Sequence, residues 1–323
     1  MSGYLFSRLL QTAVTLFVMS VLVFGGLHMV GNPVDVLLSP TATPAERLEV
    51  IKSFGLDRPV WEQYWIFLKN ALTGNLGNSF VFNQPALDLI LQRMPATLEL
   101  AAAALLMALV LGIPLGIYAG LKPNGWFAKS IMTFSILGFS LPTFWIGLVM
   151  IMVFAVQLGW LPSSGRGDTV DVLGVPVSIF TMDGLAHLAL PAFNLALFKI
   201  SLVIRITRAG VLETMQLDFV RFARAKGLPE KRIVTVHVLK NTLIPLITVI
   251  GLELGSLIAF AVVTETIFAW PGMGKLIIDA IAVLDRPVIL AYLMITVVMF
   301  SLINLAVDIL YSVVDPRVRL EGN

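Results

Sequence analysis

Six apolar stretches, 9–30, 98–121, 131–158, 185–204, 243–268 and 288–314, decide what this chain can fold into. Each reaches or exceeds the roughly 20 residues a helix needs to cross about 30 Å of hydrocarbon. Of 323 residues, 58% are hydrophobic and only 13% charged, whereas soluble domains average about 45–50% apolar and about 25% charged. No soluble fold of this size hides that surplus. The expected fold class is an all-α membrane protein with six transmembrane helices, an outer helical cap and a short cytoplasmic helix. The first stretch opens with Arg8 but is too long for a signal-peptide core. It also lacks a small-residue cleavage site before Gly31-Asn32-Pro33, so a retained helix is expected.

Orientation follows from Lys and Arg near the span ends. With the N-terminus inside, the inner segments carry Arg8, Lys122, Lys129, Arg205, Arg208, Arg221, Arg224, Lys226, Lys231, Arg232, Lys240, Arg317 and Arg319. The outer segments carry Arg47, Lys52, Arg58, Lys69 and Arg93 in one long loop that the rule counts weakly, then Arg166, Lys275 and Arg286. Both termini are therefore expected in the cytoplasm. The domain organisation that results is 1–30, an N-terminal segment with the first span; 31–97, an outer cap; and 98–323, a five-helix core with a cytoplasmic loop over 207–241.

The cap reads as helical. Thr43-Pro44-Ala45-Glu46 supplies an N-cap, a proline at the first helical position and a capping-box Glu. A second helix follows Asp57-Arg58-Pro59, with Trp61, Tyr64, Trp65 and Leu68 on one face, and stops at Gly74. A third short helix begins at Pro85. The aromatic residues either build this cap or anchor the membrane interface. In the second span, Gly112, Gly116 and Gly120 form a small-residue series that permits close helix approach, with Pro114 expected to interrupt it.

The segment 207–241 concentrates Arg208, Arg221, Arg224, Lys226, Lys231, Arg232 and Lys240. Within it, 218–226 combines helix formers, Asp218 as an N-cap, an apolar stripe of Phe219, Phe222 and Ala223, and a stop at Gly227 with Pro229 beyond. A short amphipathic helix is expected, its rings facing either a partner or lipid headgroups. Inside or at the ends of spans lie Lys199, Glu253, Glu265 and the pair Asn304 and Asp308. Such groups face a cavity or a partner, because charge in hydrocarbon is costly. Lys199 and Glu253 fit either a pair between helices or a solute path. Glu265, beside Thr264 and Thr266 at the outer end of the fifth span, fits an outer gate or a helix-end hydrogen bond.

Several chemistries find no support. The nearest approach to a phosphate-cradling GxxxxGK[ST] loop, Pro271-Gly272-Met273-Gly274-Lys275-Leu276, lacks the first Gly and the final Ser or Thr. The chain is not expected to hydrolyse ATP. There is no HExxH, no Cys, and His28, His187 and His237 stand far apart in sequence, so neither a metal site nor a hydrolase triad is expected.

A series of ordered motifs carries a resemblance. They are Arg8-Leu9-Leu10 with His28-Met29-Val30-Gly31-Asn32-Pro33, Gly55-Leu56-Asp57-Arg58-Pro59, Pro95-Ala96-Thr97-Leu98-Glu99-Leu100, Ser140-Leu141-Pro142-Thr143-Phe144-Trp145, and Leu161-Pro162-Ser163-Ser164-Gly165. To these add Ala223-Arg224-Ala225-Lys226-Gly227, Thr264-Glu265-Thr266-Ile267-Phe268-Ala269-Trp270-Pro271-Gly272 and Val314-Asp315-Pro316-Arg317. Over nearly its whole length the sequence resembles the dipeptide, oligopeptide and nickel permease family of bacterial ABC importers, with a type I importer permease fold.

The resemblance implies a permease subunit that moves dipeptides, oligopeptides or a similar small solute inward; nickel, opines or oligosaccharides are alternative cargoes, and a secondary transporter is the rival class. It implies a coupling helix made of Phe219, Arg221, Phe222, Ala223, Arg224, Ala225, Lys226 and Gly227. The general importer pattern, Glu-Ala-Ala with Gly four residues after the last Ala, is kept only in part: Arg221 stands in place of Glu and Phe222 in place of the first Ala. The implied partners are a second homologous permease, two cytoplasmic ATPase subunits, a periplasmic or lipid-anchored solute-binding protein and the bilayer, with no nucleic acid. ATP and Mg would be bound by the ATPases, with no cofactor in this chain. Localisation in the bacterial inner membrane follows.

Overall fold

The computed structural model describes residues 2–30, 34, 38 and 42–314, except for the side chains of 2–8, 30, 244, 245, 247, 248, 250, 252 and 310–314. Asp315-Pro316-Arg317 lies outside them, as does Gly31-Asn32-Pro33. The helices are α1 (Ser2–Val30), α2 (Pro44–Ser53), α3 (Val60–Leu72), α4 (Ala86–Leu121), α5 (Trp126–Ser140), α6 (Thr143–Met150), α7 (Met182–Thr214), α8 (Asp218–Ala225), α9 (Glu230–Arg232), α10 (Leu239–Ile267), α11 (Met273–Ala282) and α12 (Arg286–Val314). Two π-helical segments, Ile151–Gln157 and Ile233–Val238, continue α6 and join α9 to α10. Among the described residues, four helical spans are long and apolar enough to cross a membrane: Leu9–Met29, Ala86–Leu121, Met182–Thr214 and Arg286–Ile309. The pair Trp126–Ser140 and Thr143–Gln157 makes a fifth if counted as one bent span. The stretch 243–268 forms α10, several of whose side chains lie outside the described residues.

Two expectations about the spans are corrected. The stretch 131–158 is not one straight helix, for α5 and the run beginning at α6 meet at 106°. Leu141, before Pro142, is extended (φ −89°, ψ 140°), as steric conflict with the proline ring requires. The helix begun at Ala86 does not stop short of the membrane but runs 36 residues to Leu121, straight through Pro114.

The chain forms two units. Among the described residues, one comprises those of 2–96 and 271–302. In it the Thr43 capping box forms as expected: the Thr43 hydroxyl accepts from the Glu46 N–H, and the Glu46 carboxylate accepts from the Thr43 N–H at 2.8 Å. That backbone donor holds the Glu46 carboxyl below its usual range. The aromatic face of α3 divides: Tyr64 and Phe67 pack on Phe24 of α1, whereas Trp61 and Trp65 stay 72% and 65% exposed. Asp285 ties this unit together, accepting from the Ser79 hydroxyl and, at 3.1 Å, from the Phe80 N–H.

The other unit comprises 97–270 and 303–314. Here α4 lies against α7 along the predicted glycine series. A Cβ on Gly112, Gly116 or Gly120 would come within 2.7, 2.6 and 2.7 Å of Val203, Thr207 and Val211 respectively. Antiparallel strands β1 (Val170–Val172) and β2 (Val175–Val177), turned by Leu173 and Gly174 at positive φ, form a hairpin that the sequence reading did not anticipate.

Candidate coupling interface and polar ties

Helix α8 is only eight residues long, too short to persist alone in water, so its seat on the unit containing it matters more than its propensity. Val220 and Ala223 supply that seat. They are buried in a cluster with Val211, Ile233 and Val238, against Ile117, Leu121, Met215 and Leu228. Burying a valine side chain contributes about 1.5–3 kcal/mol. Phe219 and Phe222 point away from this cluster and are 40% and 61% exposed. The expected stripe of Phe219, Phe222 and Ala223 is therefore split: Ala223 joins Val220 in the core, and the two rings stand outward.

The helix ends are fixed locally. Leu217, not Asp218, is the N-cap residue, and it makes no side-chain cap. Asp218 occupies the first turn, where its charge favours the helix dipole, and lies 3.4 Å from Arg221. At the other end Gly227 takes φ 75°. Its N–H donates to the Arg224 carbonyl, and the Leu228 N–H donates to the Ala223 carbonyl. This pair of bonds is a Schellman motif, with Leu228 packing near Ala223 as the motif favours. Arg224 then closes the turn on Glu230, Nε to Oε1 2.6 Å and Nη2 to Oε2 3.3 Å. That pairing holds the Glu230 carboxyl below its usual range and raises the guanidinium. Lys226 Nζ lies 4.5 Å from the Phe222 ring centroid. Arg221, Arg224, Ala225, Lys226 and Gly227 are all exposed, so the surface around the two rings is cationic.

Three charged groups within the spans, Lys199, Glu253 and Glu265, are held between helices. Lys199 donates to Glu253 and, at 2.6 Å, to Ser256, joining α7 to α10. Glu265 is fully buried and accepts from the Thr97 hydroxyl at 2.7 Å. Thr264 accepts from the Asn194 amide at 3.2 Å. Sequence reasoning missed the most elaborate tie. Glu99 takes the Arg166 guanidinium at 3.0 and 2.5 Å, together with the N–H groups of Ser178 and Ile179. Arg166 also lies over the buried Trp270, and the Gly165 N–H donates to the Phe268 carbonyl. Three separate sequence motifs thus meet at one place. The available signal was Glu99 itself, a carboxylate at the margin of an apolar run.

These apolar spans and the ion pair between α7 and α10 define a multi-pass membrane protein. Residues 112–320 match the model of the binding-protein-dependent transport system inner membrane component family, and residues 1–101 match the N-terminal model of such membrane components. The chain belongs to this family of inner-membrane transport components. It is 40% identical over 333 residues to the di/tripeptide transport system permease protein DppB of Pseudomonas aeruginosa (strain UCBPP-PA14), covering 99% of both chains. It is 36% identical to the dipeptide transport system permease protein DppB of Escherichia coli (strain K12), again over 99% of both. To the glutathione transport system permease protein GsiC of Escherichia coli O6:H1 it is 37% identical over 99% of both. Its fold resembles that of the MetNI methionine ABC transporter in an inward-facing conformation, with TM-score 0.54 and 18% identity, over 70% of this chain and 96% of that one.

Proposed function

We propose that this chain is the permease subunit of an ATP-driven importer that moves dipeptides or similar small peptides into the cytoplasm. The observation that carries the reading is the outward pair Phe219 and Phe222 on a helix anchored by Val220 and Ala223. Two adjacent aromatic rings, exposed amid Arg221, Arg224 and Lys226, suit a groove on a soluble partner, and full-length similarity to peptide permeases supports an ATPase as that partner. Residues 219–227 form the coupling helix in this reading, and Gly227 sets its exit angle.

The chain crosses the membrane six times with both termini in the cytoplasm. Residues 31–97 form a periplasmic cap and 98–323 the permease core, with the coupling loop at 207–241. It works with a second permease, two ATPase subunits that bind ATP and Mg, and a solute-binding protein outside. Glu265, Thr264, Glu253 and Lys199 tie helices that shift between inward-open and outward-open states. Reconstitution with those partners in proteoliposomes tests the reading: alanyl-alanine uptake should require ATP and the binding protein. Uptake driven by an ion gradient without ATP would replace it with secondary transport.

A further inference from the structure

Helix α7 is an apolar span that carries cations at Lys199, Arg205 and Arg208. Lys199 is neutralised by Glu253. Arg205 is exposed, and among the described residues its guanidinium has neither an ion pair nor a hydrogen bond. What it touches is a ring: Cζ lies 5.7 Å from the centroid of Phe139 on α5. Phe139 stacks on Phe198 at 4.4 Å. Lys199 Nζ lies 5.1 Å from the Phe198 centroid and 5.9 Å from that of Phe260 on α10. Three helices thus contribute rings and cations to one continuous strip, of which Phe139 and Phe260 are exposed.

The direction of the guanidinium matters. Phe139 stands beside Phe198, seven residues or about 10 Å before Arg205 along the helix axis. Arg205 therefore reaches back toward the middle of its helix, whereas a side chain snorkelling to headgroups would reach toward the end at Thr214. A permanently charged group turned inward along a span faces water or a polar partner rather than lipid. Its planar fork suits a carboxylate, which it can grip with two parallel bonds. The adjoining rings offer an apolar surface to whatever bears that carboxylate.

We propose that Arg205 lines the solute path and receives the carboxylate of the solute in transit, with Phe139 and Phe260 as the flanking walls. This rests on the importer reading and adds the chemical group that the path recognises. The chain has no cysteine, so Arg205→Cys and Phe260→Cys give single labelling sites, and the second leaves the charge in place. In the full complex, with its other subunits freed of cysteine, both should react with a hydrophilic anionic thiosulfonate. Alanyl-alanine supplied with the binding protein and ATP should slow that reaction at Phe260→Cys. Arg205→Gln should lower alanyl-alanine uptake at least tenfold, with Arg205→Lys retaining more, while the complex purifies intact. Reaction with a lipophilic maleimide alone would place the strip against lipid, and reaction with neither reagent would bury it under the partner permease. Either result overturns the proposal. A wild-type complex that moved no alanyl-alanine would instead refute the importer reading, and the labelling pattern would still decide whether Arg205 faces water.

Discussion

Arg224 and Glu230 clasp each other across the Gly227 turn through two hydrogen bonds, tying the end of α8 to the start of the helical run that leads into α10. Both side chains remain substantially exposed, 41% and 61%, and exposed ion pairs contribute about 0–1 kcal/mol. The pair acts on direction more than on stability.

Its pH dependence has a definite sign. Because Arg224 lowers the folded-state pKa of Glu230, the contribution is present above the ordinary carboxylate value of 4.5 and fades as pH falls through the lowered folded value. Thermal unfolding of wild type and Glu230→Gln in detergent should differ by less than about 1 kcal/mol at pH 7, and the difference should shrink as pH falls below 4.5 and through the lowered folded value. A gap that widened on acidification would contradict this assignment.

Gly227 has open space where a Cβ would sit, so its constraint is its φ of 75° alone. Left-handed backbone costs an ordinary residue about 1–2 kcal/mol, and more for a β-branched one. Gly227→Val should abolish solute-stimulated ATP hydrolysis without lowering the amount of chain in the membrane. Gly227→Asn, which tolerates that region, should keep most of it. Equal activity in both variants would rule out a conformational role.

Glu265 depends on Thr97 for one of its hydrogen bonds. Thr97→Val keeps the shape and deletes the donor, so it should destabilise the folded chain by about 1–3 kcal/mol. Thr97→Ser should restore most of that loss. The check is the unfolding midpoint of the purified chain in detergent; an unchanged midpoint for Thr97→Val would show that the bond carries no weight.

Orientation is open to the same cysteine-free background. Asn78 and Glu230 are both exposed. Asn78→Cys should react with an impermeant thiol reagent in intact spheroplasts, and Glu230→Cys only after permeabilisation. The reverse pattern would invert the topology.

What could be read from sequence was local chemistry. The Thr43 capping box, the left-handed Gly227 and the close approach of Gly112, Gly116 and Gly120 each follow from a few neighbouring residues, and the structure has all three. The sharp bend at Pro142 was hidden because the apolar run continues unbroken on both sides of it. In α8 the sequence Phe219-Val220-Arg221-Phe222-Ala223 places apolar groups on two faces, so periodicity alone could not tell anchor from display. Only the cluster around Val211 and Ile233 assigns Val220 inward and Phe222 outward. The tie between Glu99 and Arg166 joins residues 67 positions apart, beyond the reach of any local pattern.

The most direct test of the account is ATP hydrolysis by the assembled complex carrying Phe222→Ala. Truncating a ring at the centre of an interface can cost 2 kcal/mol or more, enough to weaken docking more than tenfold. Because Phe222 lies outside the cluster that seats α8, the fold should survive its loss. Solute-stimulated hydrolysis should therefore collapse while the isolated binding protein still binds alanyl-alanine normally. Full stimulated hydrolysis and uptake in the Phe222→Ala complex would contradict the coupling role and leave α8 as a membrane-surface segment.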